Sequence, residues 1–261
     1  MTTRIITKPE IPGKMKTLLL ITVSLVFLIP GMNAQSQSDF SYAAPAQLPE
    51  KKLIIWATQY YVHEFTSNGT IPFVDKNNQL LGLYGDTCDF CMAALEGTAS
   101  ITDSSGNVFV VNFADTGDSV FVDCRKCQKY ASSKLSVESW GKTRWAVSSG
   151  FGDGVKNYRL VPFRTIAVDQ KTIPYGSVIY IPAARGVTIE LPNGEKVTHD
   201  GYFFAGDTGG AIKQNHIDVF TGVYTGNPFS VLVTSNAKKT VEAYLVEDMS
   251  VIGELGRVHV K

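Results

Sequence analysis

The chain has 261 residues, of which 44% are hydrophobic and 18% are charged, an ordinary globular composition with enough length for a sizeable core. Lysine plus arginine and aspartate plus glutamate both number 24, which gives a formal net charge of zero. Nucleic-acid-binding proteins normally carry a basic excess, so this balance argues against a nucleic-acid partner.

Residues 1–34 have the pattern of a secretory signal peptide. Lys14 and Lys16 precede an apolar run at residues 18–29, and Pro30, Gly31 and Ala34 follow it. A basic segment, an apolar segment and a small residue at the cleavage point are the parts of an export signal, and the run is short for a membrane-spanning helix. We predict export to the periplasm, cell envelope or exterior, with cleavage near Ala34. An uncleaved N-terminal anchor is the alternative, and it would be the only membrane contact.

Residues 35–52 are predicted to be a linker, and short strands dominate after it. β-Branched and aromatic residues or strict alternation mark the strands, and turn signals at residues 104–107 and 192–194 mark two hairpins. The predicted strands are residues 53–61, 97–103, 108–113, 177–181, 187–191, 195–199, 202–205, 217–220 and 241–246. Only residues 131–140 and 236–240 are helix-capable. The pattern predicts a mainly all-β fold, either a sandwich or a barrel.

The four cysteines form two pairs, Cys88-x-x-Cys91 and Cys124-x-x-Cys127. This spacing suits structural zinc, and it also suits nested disulfides, Cys88 with Cys127 and Cys91 with Cys124, across an antiparallel ribbon. Export slightly favours disulfides, because exported cysteines usually oxidise. A redox-active pair is a more distant alternative. Each hypothesis makes this region a stapled insertion outside the reactive centre.

Two later segments carry the chemistry. Residues 206–220, GDTGGAIKQNHIDVF, place Asp207 and Asp218 eleven residues apart, and residues 164–177, RTIAVDQKTIPYGS, contain Asp169. In order and spacing, these segments resemble the three-aspartate (3D) domain of the membrane-bound lytic transglycosylase A and stationary-phase cell-wall protein type. The resemblance implies a double-psi β-barrel over residues 53–261, with the cysteines in an insertion at about residues 62–159.

The resemblance also implies a peptidoglycan lytic transglycosylase, which cleaves the MurNAc–GlcNAc bond with formation of 1,6-anhydromuramyl ends. By this resemblance, Asp218 would be the catalytic acid and base, Asp207 would position or stabilise the reacting sugar, and Asp169 would support them. The substrate-binding residues would be Thr208, Gly209, Gly210 and Lys213. The partner would be peptidoglycan glycan strands, and no cofactor or metal is expected.

Physical chemistry is consistent with that assignment. A hydrolysing glycosidase generally needs two carboxyls, whereas a lytic transglycosylase can use one that gives and then recovers a proton. Such a carboxyl must start protonated at neutral pH, so its pKa must be raised by burial or by a neighbouring carboxylate. Asp207 is that neighbour, and Ile217, Val219 and Phe220 supply the apolar surroundings of Asp218.

Two other functions compete with this one. A non-catalytic cell-wall carbohydrate-binding double-psi barrel is the stronger alternative, because a fold alone proves no turnover. An aspartic proteinase would use the Asp-Thr-Gly triplets at residues 115–117 and 207–209, but Asp118 follows the first, where a third charge would disturb a shared proton. His216 is interpreted as a surface residue, and the other histidines, at positions 63, 199 and 259, show no metal-ligand spacing.

Overall fold

The computed structural model describes residues 35, 37–133, 135 and 137–261, so the predicted export signal lies outside the described residues. Its strands are β1 (Lys52–Tyr60), β2 (His63–Thr66), β3 (Ile71–Val74), β4 (Leu80–Gly85), β5 (Thr98–Thr102), β6 (Val108–Thr116), β7 (Thr143–Ser148), β8 (Thr165–Ala167), β9 (Val178–Tyr180), β10 (Thr188–Glu190), β11 (Lys196–Thr198), β12 (Tyr202–Asp207), β13 (His216–Phe220) and β14 (Val241–Leu245). Its α-helices are α1 (Thr87–Glu96), α2 (Val137–Trp140) and α3 (Met249–His259).

Six strands close into a barrel in the order β1-β13-β8-β12-β9-β14. β1 runs parallel to β13 and antiparallel to β14, and β12 runs parallel to β8. Alternate residues point into one core: Ile55 and Ala57 on β1 and Ile217 and Val219 on β13 are all fully buried there. The predicted mainly β barrel is therefore confirmed, and its double-psi connectivity stays a prediction.

The chain between β1 and β8 forms a second layer with a core of its own. Strands β2-β5-β6-β7 make a four-stranded sheet, β3-β4 make a hairpin, and α1 packs with them. Phe73, Phe90 and Trp145 are fully buried, with ring centroids 5.0–5.7 Å apart. Of the two predicted hairpins, the first is β5-β6 in this insertion and the second is β10-β11.

Two disulfides staple the insertion, Cys88–Cys127 and Cys91–Cys124. Cys88 and Cys91 lie three residues apart on α1 and so share a helix face, while Cys124 opens a 3₁₀ turn. The structure thus decides between zinc and disulfides in favour of disulfides with the nested pairing. The staple joins a helix to a turn, so the expected antiparallel ribbon was wrong.

The helices differ most from the predictions. Residues 236–240 form no helix, and among the described residues of 131–140, which leave out 134 and 136, the α-helical ones are Val137–Trp140. Helix α1 begins at a capping box formed by Asp86 and Asp89 and ends at Gly97, whose φ of 82° favours glycine. Within the described residues, no helix has both the length and the apolar character needed to cross a membrane.

The segment before β1 is packed on the barrel rather than loose. Arg164 and Asp200 form a buried ion pair of 2.6 Å, and the Arg164 guanidinium lies 4.2 Å from the centre of the Phe40 ring. The Tyr42 backbone N–H donates to Asp200 at 3.2 Å, and the Tyr202 hydroxyl donates to the Ala43 carbonyl at 2.9 Å. Arg164, the first residue of the RTIAVD motif, therefore ties the N-terminal segment to the barrel.

Candidate active site

Four neighbouring barrel strands place the candidate acids in one row. Thr58 on β1 is the register partner of Asp218 on β13, and Ala167 on β8 is the register partner of both Asp218 and Asp207. With neighbouring strands about 4.8 Å apart, the two aspartate backbones stand about 10 Å apart, on either side of a small alanine. The barrel therefore brings Asp207 and Asp218 together, as the motif predicted.

Asp218 is a carboxyl poised to hold a proton. Burial, the largest cause, and the nearby charge of Asp207 together raise its pKa to about 7, against the Thr58 hydrogen bond, which lowers it. Thr58 Oγ1 lies 2.7 Å from Asp218 Oδ1. A carboxyl with this pKa is protonated in about half of the molecules at neutral pH, which suits a general acid and base.

Asp207 has a different environment. The Tyr60 hydroxyl donates to Asp207 Oδ2 at 2.7 Å, and the Thr208 backbone N–H also donates to this carboxyl. Burial raises the pKa of Asp207 to about 6, and both hydrogen bonds oppose that rise. The pKa of Tyr60 is raised well above its usual value by burial and by Asp207, so its hydroxyl remains a donor. Asp207 is therefore more ionised than Asp218 at neutral pH.

His216 lies in the site, so its interpretation as a surface residue was wrong. The side chain is buried, and its ring stacks on Trp56 with 3.6 Å between centroids and 7° between planes. His216 Nε2 lies 2.8 Å from Thr58 Oγ1, and Nδ1 lies 3.4 Å from the Ala211 carbonyl oxygen. The signal was its position two residues before Asp218, which puts both side chains on the same face of β13.

The insertion supplies a further carboxyl that the sequence did not reveal. Glu96, the last residue of α1, accepts the Tyr61 backbone N–H at 3.1 Å, at the exit of β1. Burial and, to a smaller extent, the charge of Asp218 raise the pKa of Glu96 to about 7, against the Tyr61 hydrogen bond, which lowers it. The insertion thus reaches the site through this side chain, contrary to the expectation that all of it stays outside.

The other predicted site residues lie around the loop between β12 and β13. Asp169 accepts backbone N–H groups from Gln214 at 2.9 Å and Lys171 at 3.0 Å, and these bonds hold its pKa low. It supports that loop and makes no hydrogen bond to Asp207 or Asp218 in the described structure. The loop residues Thr208, Gly210 and Lys213 are exposed.

The two glycines of the loop differ. A Cβ on Gly209 would come within 2.8 Å of the Ile212 side chain, whereas a Cβ on Gly210 would meet no atom within 4 Å. Gly209 is therefore needed for packing within the loop. Gly210 leaves open space that an incoming molecule can occupy.

The proteinase arrangement is absent from the described structure. Asp115 is exposed on β6 of the insertion sheet and accepts the Thr116 backbone N–H, whereas Asp207 lies in the barrel bonded to Tyr60. A proteinase dyad needs two carboxyls that share one proton, and these two do not meet.

Comparison with solved structures found chains of similar shape. One is MltA of E. coli with bound chitohexaose, with a TM-score of 0.48 and 14% identity, covering 74% of this chain and 71% of that one. A membrane-bound lytic murein transglycosylase from Agrobacterium tumefaciens has a TM-score of 0.47 and 15% identity, covering 75% of this chain and 74% of that one. The lytic transglycosylase LtgG of Burkholderia pseudomallei has a TM-score of 0.38 and 14% identity, covering 74% of this chain and 71% of that one. At these scores and identities the likeness is one of general shape and carries no conclusion about activity. Comparison with curated proteins found no match.

The family comparison is more specific. The model of the 3D domain matches residues 164–227, a range that contains Asp169, Asp207 and Asp218 and the strands β8 to β13. It covers the motifs on which the resemblance was based and excludes the stapled insertion. Residues 164–227 of this chain therefore match the 3D-domain family.

Proposed function

We propose that the protein is a peptidoglycan lytic transglycosylase, which cleaves the MurNAc–GlcNAc glycosidic bond and forms 1,6-anhydromuramyl ends. The observation that carries the proposal is Asp218, a half-buried barrel carboxyl whose pKa of about 7 lets it both give and take a proton at neutral pH. Its position within a 3D domain supports the same assignment.

The reaction needs one proton cycle and consumes no water. Asp218 donates its proton to the glycosidic oxygen, the bond from that oxygen to the muramyl C1 breaks, and positive charge develops at C1. The muramyl C6 hydroxyl attacks C1 and its proton passes to the Asp218 carboxylate, which restores the acid. One carboxyl therefore serves as general acid and then as general base.

Asp207 has the complementary role. With a pKa of about 6, it is largely ionised at neutral pH, and the Tyr60 hydroxyl fixes its orientation. A carboxylate held near C1 stabilises the positive charge of the transition state. Its charge also raises the pKa of Asp218, which keeps the acid protonated.

The loop after β12 is the proposed glycan contact. Gly210 leaves open space for a sugar ring, and the exposed Lys213 can meet a carboxylate of the lactyl group or peptide stem. Two disulfides fit a protein that acts outside the cytosol, so they support the proposed export.

The test is mass spectrometry of purified sacculi digested with the protein. We expect muropeptides with 1,6-anhydromuramyl ends, and none from Asp218→Asn. Products with reducing ends would indicate hydrolysis and contradict the proposal. Binding of sacculi without any new ends would support the alternative, a non-catalytic wall-binding module.

A further inference from the structure

One hydroxyl group in the site has two hydrogen-bond partners. Thr58 Oγ1 lies 2.7 Å from Asp218 Oδ1 and 2.8 Å from His216 Nε2. A threonine hydroxyl carries one hydrogen and two lone pairs, so it can donate to only one of these partners at a time. The partner that receives this hydrogen therefore determines whether the carboxylate or the acid form of Asp218 is stabilised.

The surroundings of His216 determine which of its nitrogens carries hydrogen. Nδ1 faces the Ala211 carbonyl oxygen at 3.4 Å, and a carbonyl can only accept. Burial lowers the pKa of His216, so the ring is neutral at neutral pH and carries one hydrogen. With that hydrogen on Nδ1, Nε2 has a bare lone pair facing Thr58. The parallel stack on Trp56 fixes the plane of the ring in this orientation.

We propose that neutral His216 takes the hydroxyl hydrogen of Thr58 and thereby keeps Asp218 in its acid form. The bonds then run in one direction: Asp218 O–H donates to Thr58 Oγ1, Thr58 O–H donates to His216 Nε2, and His216 Nδ1–H donates to Ala211. His216 is a positioning residue that acts on Asp218 through Thr58. Its role in turnover rests on the proposed function, whereas the hydrogen-bond order itself does not.

The chain of bonds has a direct consequence for Asp218. A Thr58 hydroxyl that donates to Asp218 stabilises the carboxylate and lowers the pKa of that aspartate. By competing for the same hydrogen, His216 removes this stabilisation. Four other titratable or charged groups lie near His216 and Asp218: Asp207 on β12, Tyr60 on β1, Glu96 on α1 and Lys213 in the loop before β13. A substitution at position 216 leaves all four residues in place.

The first test compares two substitutions at one position. Phenylalanine in His216→Phe can stack on Trp56 but cannot accept a hydrogen bond, so the Thr58 hydroxyl turns to Asp218. We expect the basic limb of the pH profile for anhydromuramyl release to move down by about one pH unit, the scale of one hydrogen bond to a charged group. His216→Gln, whose amide oxygen can accept from Thr58, should keep the basic limb close to its wild-type position.

A control and a second measurement separate this inference from the proposed function. His63→Phe alters a histidine of the insertion that lies 3.2 Å from Asp89, and its profile should match the wild type. Carbon-13 NMR titration of the Asp218 carboxyl, without any glycan, should show the same downward shift in His216→Phe. Imidazole nitrogen-15 spectra should show a bare Nε2 at pH 7.

The outcomes are distinct. A shifted Asp218 titration in a protein that cleaves no glycan would support the hydrogen-bond order and contradict the enzymatic function. Glycan cleavage with unchanged titrations in His216→Phe, or a protonated Nε2 at pH 7, would overturn the role of His216.

Discussion

The barrel and the stapled insertion achieve order by different means. The barrel is closed by hydrogen bonds between six strands, is filled by aliphatic side chains together with Phe163, Phe203 and Phe229, and includes strands β8, β9, β12 and β13 of the 3D-domain match. The insertion has an open four-stranded sheet, a core of large aromatic rings and two disulfides, and it lies outside that match. Closure removes the free strand edges that an open sheet keeps, and both disulfides lie in the insertion, where they tie α1 to the turn at residues 124–127.

The residues of the candidate site come from different parts of the chain. Asp207, Asp218 and His216 come from the 3D-domain match, whereas Thr58 and Tyr60 come from β1 before it and Glu96 comes from the insertion. The matched segment thus supplies both acids and His216, and the rest of the chain supplies the hydrogen-bond partners Thr58 and Tyr60 and the further carboxyl of Glu96.

The largest effect is expected from Asp218→Asn. An amide accepts hydrogen bonds but cannot cycle a proton, so glycan cleavage should fall by about a hundred- to ten-thousand-fold or more. Asp207→Asn should be less severe, because it removes a stabilising charge and leaves the proton cycle. Rates of anhydromuramyl release from sacculi give the ranking, and equal losses at both positions would point to a mechanism with two carboxyls.

The same substitution should raise stability. The folded pKa of Asp218, about 7, exceeds the unfolded value of about 4, so its favourable contribution is complete below pH 4 and is lost as pH rises through 7. Asp218→Asn has no such loss, and at pH 8 it should gain about 2–4 kcal/mol relative to the wild type. Asp169→Asn is the control of opposite sign, because the pKa of Asp169 is lowered and its contribution is present at neutral pH. Urea unfolding at pH 4 and pH 8 measures both.

Removal of one disulfide should weaken the insertion more than the barrel. Cys91→Ser with Cys124→Ser removes the inner of two nested disulfides and leaves Cys88–Cys127 in place, so we expect a loss near the lower end of the range for a disulfide, about 2 kcal/mol. We expect the insertion to become sensitive to proteases under conditions in which the barrel fragment survives. Loss of barrel protection at the same protease concentration would show that the two regions unfold as one. Full protection with lost cleavage of glycan would place the staple in the active site.

Much of the barrel could be predicted from the sequence because its strands are short, alternating and separated by turn residues. The strands β1, β9, β12, β13 and β14 and both hairpins were predicted close to their observed bounds. Helix α1 was missed because its cysteines suggested a motif and its capping box uses Asp86 and Asp89, without the usual serine or threonine. The helix predicted at residues 236–240 was wrong because a short polar stretch there forms a turn.

The acids of the site were predictable, and their partners were not. Motif order identified Asp207 and Asp218, but Thr58 lies 160 residues from Asp218 and Tyr60 lies 147 residues from Asp207, and Glu96 lies 35 residues from its partner Tyr61. Only the folded chain brings these residues together. His216 was dismissed because no nucleophile accompanied it. Its role depends on register with β1, where Trp56 and Thr58 flank it, and a single sequence does not contain that register.

Glu96→Gln tests whether the insertion influences the acids of the barrel. The amide oxygen can still accept the Tyr61 N–H, so the fold should be kept while the charge is lost. The charge of Asp218 raises the pKa of Glu96, and repulsion between two like charges acts on both groups. Loss of the Glu96 charge should therefore move the basic limb of the pH profile down by a few tenths of a unit. Glu64→Gln, at an exposed position on β2, is the matched control and should leave the limb unchanged. Identical profiles for both variants would confine the chemistry to the barrel.

The smallest structural change is Gly210→Ala. A Cβ at this position meets no atom within 4 Å, and the residue is exposed, so thermal unfolding should be unaltered. Gly209→Ala is the contrasting variant, because its Cβ would lie 2.8 Å from Ile212 and should lower the melting temperature. If glycan strands pass over the loop, the added methyl group of Gly210→Ala should raise the KM for sacculi several-fold and leave kcat nearly unchanged, because it obstructs binding and not the proton cycle. Unchanged KM in the folded variant would place the glycan elsewhere on the barrel.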